Sequence, residues 1–303
     1  MAGLAVSTIA LWIALGSSAE TFEVPDSVFT APVNSLHGFS LIRLQINHHS
    51  NQLFLIDSAF EFTSVSQQTA NELKLKIDYD IPGKLVSETD SAPERINFAK
   101  KATVSYGRYD LFSGPMPIID LSNLSNYLGV NIAGILGYDI LSRHNFTLNL
   151  RSHTLSLLRS GSTKSSAPTN QQAPAIATCS SFPVISGRLQ LEDIQLPLRL
   201  KVDTGSNVPL ELYSPFVRAH HLTSDASRPL RLYGPSGSGR EGTEAGKATL
   251  ELPGMTLRLE NVYMSSAVLG MSAETSVDGT LGSPALEGHI LVFECGAGMV
   301  KIF

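Results

Sequence analysis

The sequence predicts an all-β protein made of two copies of one unit, and three observations lead there. The first is a repeat. Phe54-Leu55-Ile56-Asp57-Ser58-Ala59 reads against Leu200-Lys201-Val202-Asp203-Thr204-Gly205, an offset of 146 (203 − 57). Gly134-Ile135-Leu136-Gly137 reads against Gly279-Thr280-Leu281-Gly282, an offset of 145 (282 − 137). Two independent motifs that hold one offset to within a residue mark a duplicated unit of domain size, too long for a solenoid repeat. The second observation is periodicity: each copy reads mostly as short alternating or apolar strands bounded by turn residues. The third is composition. With 43% hydrophobic and 16% charged residues the chain is globular, neither disordered, collagenous nor coiled-coil.

Taken in order, Leu4 to Leu15 is apolar apart from Ser7 and Thr8, and Gly16-Ser17-Ser18-Ala19 follows. A run of about a dozen residues is too short to span a bilayer, and Ser17-x-Ala19 fits a small-x-small cleavage site. The expectation is a signal peptide over 1–19, although no Lys or Arg precedes the run, and a mature protein that is extracytoplasmic, periplasmic or secreted. No later stretch is long and apolar enough to span, so no membrane contact is expected after cleavage. An N-terminal lobe over 20–159 and a C-terminal lobe over 179–303 are then expected. The segment 160–178 between them is Ser-, Thr-, Pro-, Gln- and Ala-rich without apolar periodicity, the composition of a linker.

Within the first copy, Ser40 to Ile46 reads as a strand, Asn47 to Gln52 as turn, and Leu53 to Ile56 as a second strand. Gln67 to Leu75 reads as a short helix, Asp139 to Arg143 as a helix-like piece, and Phe146 to Leu150 with Thr154 to Leu158 as closing strands. The second copy repeats this with Phe182 to Leu191, a turn near Glu192-Asp193, and Leu196 to Val202. Pro215 to His221 and Pro284 to Glu287 are its helical pieces, and Ile290 to Phe293 with Met299 to Phe303 its closing strands. Two hairpins stand out as candidate flaps over a cleft. One covers 85–98 with its tip near Ser91-Ala92-Pro93. The other covers 230–245, with Tyr233 beside a glycine-rich tip running from Gly234 to Gly242. Glycines suit a lid that must open, and suit an unstructured surface loop equally.

The net charge of −5 and pI of about 5.9 give no basic field, so no nucleic-acid partner is expected. Two cysteines exclude a disulfide-dense scaffold and Cys-based zinc patterns. In an oxidising compartment Cys179 and Cys295 can pair, but spacing does not fix their distance. Gly237 to Gly242 is formally G-x-G-x-x-G, yet it opens no helix and is followed by strand-like Lys247 to Leu252. No P-loop and no G-x-S-x-G is present. His48-His49 and His220-His221 are adjacent pairs without metal-ligand spacing, so no metal is expected.

Asp57 and Asp203 carry the chemistry. Each ends an apolar strand and precedes small residues. One such Asp is an ordinary turn residue. Two at equivalent positions of a duplicated unit are brought together by a pseudo-twofold axis. Like charges so close cannot both ionise, so the pair shares a proton. One carboxylate can then take a proton from water while one carboxylic acid donates, which is the equipment for hydrolysing an amide.

With these motifs the sequence resembles the bilobal aspartic proteases of the pepsin and retropepsin superfamily, nearer the bacterial retropepsin-like form. That resemblance implies two homologous β-barrel lobes and an Asp57/Asp203 catalytic dyad. Ser58 and Thr204 would bond across the lobe interface. Ala59, Gly205 and Ser206 would complete the turns, and Gly137 and Gly282 would end the late segments that cross beneath them. It implies an aspartic-type endopeptidase acting on a polypeptide substrate, monomeric, with no metal or organic cofactor. Glu20 to Leu36 holds no Lys or Arg, so no basic pro-segment is expected. Three residues depart from the family pattern: Ala59 for Gly, Phe60 for a small residue that hydrogen-bonds the carboxylate, and Thr280 for a bulky aliphatic one. The departures leave two alternatives open, a peptide-binding protein that does not cut and a narrow-specificity processing protease.

Overall fold

Strands dominate the chain, and the protein belongs to the all-β class. The computed structural model describes residues 27–85, 94–158, 173–223, 228–233 and 239–303. The expected signal peptide over 1–19 lies outside these residues, as do Ser91, Ala92, Pro93 and Gly234 of the expected flap tips.

In the first half, β1 (Ser27–Leu36), β2 (Phe39–Ile46) and β3 (His49–Ile56) form an antiparallel meander. Its two-residue turns are His37-Gly38 and Asn47-His48, and all four residues have positive φ. That is the type I′ condition, whose twist matches the flanking strands. The turn is therefore shorter than the expected 47–52, and His49 to Gln52 already belong to β3. Next come β4 (Ser64–Ser66), α1 (Gln67–Glu72), and the antiparallel β5 (Ile77–Leu85), β6 (Glu94–Tyr106) and β7 (Tyr109–Ile119). Ser66 caps α1 by accepting from the Thr69 N–H. The half ends with α2 (Ser122–Leu128), β8 (Gly134–Leu136), α3 (Tyr138–Arg143), β9 (Phe146–Asn149) and β10 (Thr154–Leu158).

The second half contains β11 (Ala175–Cys179), β12 (Pro183–Leu191), β13 (Ile194–Asp203), β14 (Leu210–Leu212) and α4 (Ser214–Ala219). These are followed by β15 (Arg228–Tyr233), β16 (Gly239–Ala245), β17 (Ala248–Leu252), β18 (Met255–Leu259) and β19 (Val262–Ser265). Last are β20 (Gly279–Gly282), β21 (Ile290–Glu294) and β22 (Met299–Ile302). The repeat holds element by element. β8 lies between β3, parallel to it, and β4, antiparallel to it; β20 lies in the same way between β13 and β14. β4 runs parallel to β7 as β14 does to β19. The long β6 and β7 of the first half correspond to β16 with β17 and to β18 with β19. Among the described residues α2 has no α-helical counterpart in the second half, where the 3₁₀ turn Met271–Ala273 stands instead.

The halves are joined by β9 and β21, which pair antiparallel with Phe146 opposite Phe293 and Leu148 opposite Leu291. With β10 and β1 on one side and β22 and β11 on the other, they form a run of six strands. Those four central side chains are fully buried, each contributing about 1.5–3 kcal/mol of hydrophobic stabilisation. The main core extends from Phe29 to Ile302 across both halves, and a smaller cluster under α2 gathers Phe39, Leu41, Leu55, Ile119, Leu121, Leu124, Leu128, Ile132 and Ile135.

The expected linker ran too far. Residues 160–172 lie outside the described residues, but Ala175 to Cys179 form β11, paired with β22 and alternating buried Ala175 and Ala177 with exposed Ile176. The sheet edge supplies the hydrogen bonds that a Thr- and Ala-rich segment cannot specify by itself. Cys179 and Cys295 form a disulfide, with their Cα atoms 5.6 Å apart. It ties the end of β11 to the turn after β21. Both candidate flaps are hairpins: Leu85 pairs with Glu94, and Tyr233 with Gly239. The second tip is narrower than expected, because Gly239 to Gly242 lie within β16. A Cβ at Gly242 would stand 2.3 Å from the Met264 carbonyl oxygen, so close strand packing rather than tip mobility requires that glycine.

Candidate active site

β3 and β13 both end where the halves meet, and the turns that follow them are bonded to each other. The Ser58 N–H donates to Thr204 Oγ1 (3.0 Å) and the Thr204 N–H to Ser58 Oγ (3.0 Å). The Ser58 hydroxyl donates in turn to the Val202 carbonyl (2.8 Å), and the Thr204 hydroxyl to the Ile56 carbonyl (2.9 Å). Both side chains are fully buried. Each hydroxyl thus donates once and accepts once, and each half supplies the same two bonds. A fully satisfied polar network in a dry interior permits one arrangement of the two turns and penalises others.

This network sets Asp57 and Asp203 side by side. Asp57 Oδ1 accepts from the backbone N–H groups of Ala59 (2.9 Å) and Phe60 (2.8 Å), and Asp203 Oδ1 accepts from the Gly205 N–H (2.8 Å). Gly205 touches both carboxylates, because a Cβ there would lie 2.2 Å from Asp57 Oδ2. The approach of a carboxylate, not the backbone angle, demands glycine at this position, since Gly205 has no positive φ. Ala59, its counterpart, has no positive φ either, so its methyl group carries no backbone strain. Phe60 turns its ring into the small apolar cluster under α2 and still donates its N–H to Asp57. A backbone donor therefore holds Asp57 at a position where the sequence offers no polar side chain. Ser206 braces its own turn, its hydroxyl accepting from the Val208 N–H (3.3 Å).

The late glycines lie where chains cross. A Cβ on Gly137 would stand 2.6 Å from the Phe62 carbonyl carbon, and one on Gly282 would stand 2.0 Å from the Val208 carbonyl oxygen. Nothing larger lets β8 and β20 pass beneath the aspartate turns. In the first half the crossing is further tied by Asp139, whose Oδ1 accepts from the Thr63 N–H (2.8 Å) and hydroxyl (2.7 Å). Thr63 Oγ1 in turn accepts from the Gly137 N–H (3.0 Å).

The two sides of the site are not alike. Asp203 is 5% exposed, whereas Asp57 is half-buried. Beneath Asp203 the buried Lys201 brings Nζ to 3.6 Å from Asp203 Oδ2 and over the Phe182 ring. Opposite Lys201 on β20, Thr280 Oγ1 shares a hydrogen bond with the Tyr213 hydroxyl (2.9 Å). Sequence reasoning assigned no role to Lys201. The signal was the repeat itself, which sets a lysine against Leu55 at an apolar position of a buried strand.

Of the expected flap residues, Tyr233 is exposed at the end of its hairpin strand. Chemically, two adjoining carboxylates held by backbone N–H groups at the meeting of two halves can exchange protons with a water and a carbonyl between them. No protein-family model matches the chain, and no curated protein matches it.

Proposed function

We propose that the protein is an aspartic endopeptidase with two pepsin/retropepsin-like lobes, in which Asp57 and Asp203 activate a water against a peptide bond. The observation that carries this reading is the reciprocal Ser58–Thr204 network, with the two carboxylates adjoining across Gly205. The repeated crossing of β8 and β20 between their neighbours supports it, since a common origin of the halves places equivalent residues about one axis. Two hairpins, β5 with β6 and β15 with β16, would serve as flaps. Substrate is a polypeptide, the enzyme acts as a monomer, and the chemistry draws on two carboxyl groups and water alone. The disulfide suits an extracytoplasmic location, periplasmic or secreted.

The test is cleavage of a peptide library from acidic to neutral pH by the wild type, Asp57→Asn and Asp203→Asn. Loss of cleavage in both variants supports the dyad, and cleavage that survives either substitution removes it. A second reading, a peptide-binding protein that does not cut, is favoured by one observation: Ala59 and Phe60 offer Asp57 backbone N–H groups and no polar side chain. Bound but uncleaved peptides at every pH would establish it.

A further inference from the structure

The asymmetry of the two aspartates has a structural source one layer below them. Leu55 and Lys201 hold equivalent places, two residues before each aspartate and on the same strand face as it. Leu55 lies opposite Ile135 on β8, and both join the apolar cluster under α2. Lys201 lies opposite Thr280 on β20, with Tyr213 bonded to that threonine and Phe182 against the ammonium. One aspartate therefore rests on hydrocarbon and the other on a polar layer containing a buried cation.

Lys201 is 1% exposed, and an ammonium so buried is tolerable only beside an anion. Asp203 is a carboxylate within reach, at 3.6 Å. That separation is electrostatic contact rather than a tight hydrogen bond, so the Asp203 oxygens stay usable by a water. The other charged groups around this strand have partners of their own. Arg199 on β13 donates to the Ser276 carbonyl, Arg188 on β12 to Gln195, and Glu211 on β14 is bonded by Arg240; β20 carries no charge. Glu211 and Lys201 flank Thr280 from either side, the Tyr213 hydroxyl is bonded to that threonine, and Asp57 meets the Asp203 turn at Gly205.

We propose that Lys201 is a positioning residue that keeps the negative charge of the pair on Asp203, making Asp203 the base and Asp57 the acid. The inference rests on the protease reading for its chemistry. Asp203 takes a proton from water as the water oxygen bonds to the peptide carbon, and Asp57 gives its proton to the carbonyl oxygen. In the tetrahedral diol that results, Asp203 passes its proton to the nitrogen as the C–N bond breaks, and Asp57 recovers its proton from a hydroxyl. The products are a carboxylic acid and an amine, and both aspartates end as they began.

Two measurements test this, and only one needs activity. In thermal unfolding, Asp203→Asn removes the carboxylate 3.6 Å from the buried ammonium, so Tm is expected to fall by at least about 5 °C. Asp57→Asn should lower it less, and Lys201→Met combined with Asp203→Asn should restore it. Equal losses for the two aspartate variants, or no recovery in the double variant, would overturn the assignment. In the pH profile of cleavage, losing a neighbouring cation raises a carboxylate pKa. Lys201→Met should therefore move the acid limb up by about one pH unit or more, while Lys201→Arg keeps it in place. An unmoved limb would equally overturn the proposal. If the wild type cleaves nothing, the protease reading fails by itself, and the thermal cycle still decides where the charge resides.

Discussion

A single methyl group separates the two aspartate turns, and its consequences are opposite on the two sides. At Gly205 a Cβ would meet Asp57 Oδ2 at 2.2 Å and Cγ at 2.3 Å, so Gly205→Ala must push a carboxylate aside. A displacement approaching 1 Å at reacting groups costs on the order of 100-fold in rate. On the protease reading, the expected kcat/KM of Gly205→Ala is therefore lower by at least about that factor. Ala59→Gly, at a position without positive φ, changes stability by no more than about 1 kcal/mol. Steady-state kinetics and a denaturation curve on the two variants check both statements. At this scale the site was largely legible. Asp57, Asp203, Ser58 and Thr204 announce themselves as polar residues ending apolar strands, twice at one offset. The Phe60 N–H was not legible, because a backbone donor leaves no mark on residue type. Lys201 was legible only by comparing the copies, since one lysine in a strand reads as solvated.

Among elements, the least symmetric are those around the second candidate flap. Glu211 on β14 and Arg240 on β16 are both buried and pair through two hydrogen bonds, Arg240 Nε to Oε1 at 2.9 Å and an Arg240 amino group to Oε2 at 2.5 Å. Ser272 donates to the same carboxylate at 2.7 Å. The pair fastens the tip end of β16, where Arg240 stands opposite Leu232, to the strand that follows the Asp203 turn. Removing one partner of such a pair leaves a charge buried, so Arg240→Met should destabilise by about 3–5 kcal/mol. Glu211→Gln combined with Arg240→Met should cost much less, and urea denaturation of the two variants checks the difference. Other elements escaped sequence reasoning for local reasons. α2 has no side-chain cap at its N-terminus and spans only Ser122–Leu128. Its signal was the spacing of Leu121, Leu124 and Leu128 before Gly129, which ends the helix in the left-handed region. β11 is Ala- and Thr-rich and gains its conformation from the edge of β22, a partner far off in sequence. Strands whose formation depends on such pairing are the ones composition describes worst.

At the scale of the molecule, the halves are held by more than the two turns. The pairing of β9 with β21 buries aromatic and aliphatic side chains between them. α3 of the first half brings the Tyr138 hydroxyl to 3.2 Å from Cys295 Sγ, so a first-half helix rests on the second half's disulfide. Burial disfavours the phenolate and pushes Tyr138 up from its ordinary value of 10.0 to about 12. The folded protein thus keeps a proton that the unfolded chain releases at lower pH. Its contribution to stability is complete below pH 10.0 and is lost as pH rises toward about 12. Tyr138→Phe cannot ionise and should flatten that part of the stability profile, with some loss at neutral pH from the missing hydroxyl contact. Denaturation midpoints for wild type and Tyr138→Phe across this range decide the matter, and an equal alkaline decline in both would place its cause elsewhere. The expected flattening would tie the alkaline decline to the burial of Tyr138, the α3 residue whose hydroxyl meets the second half's disulfide.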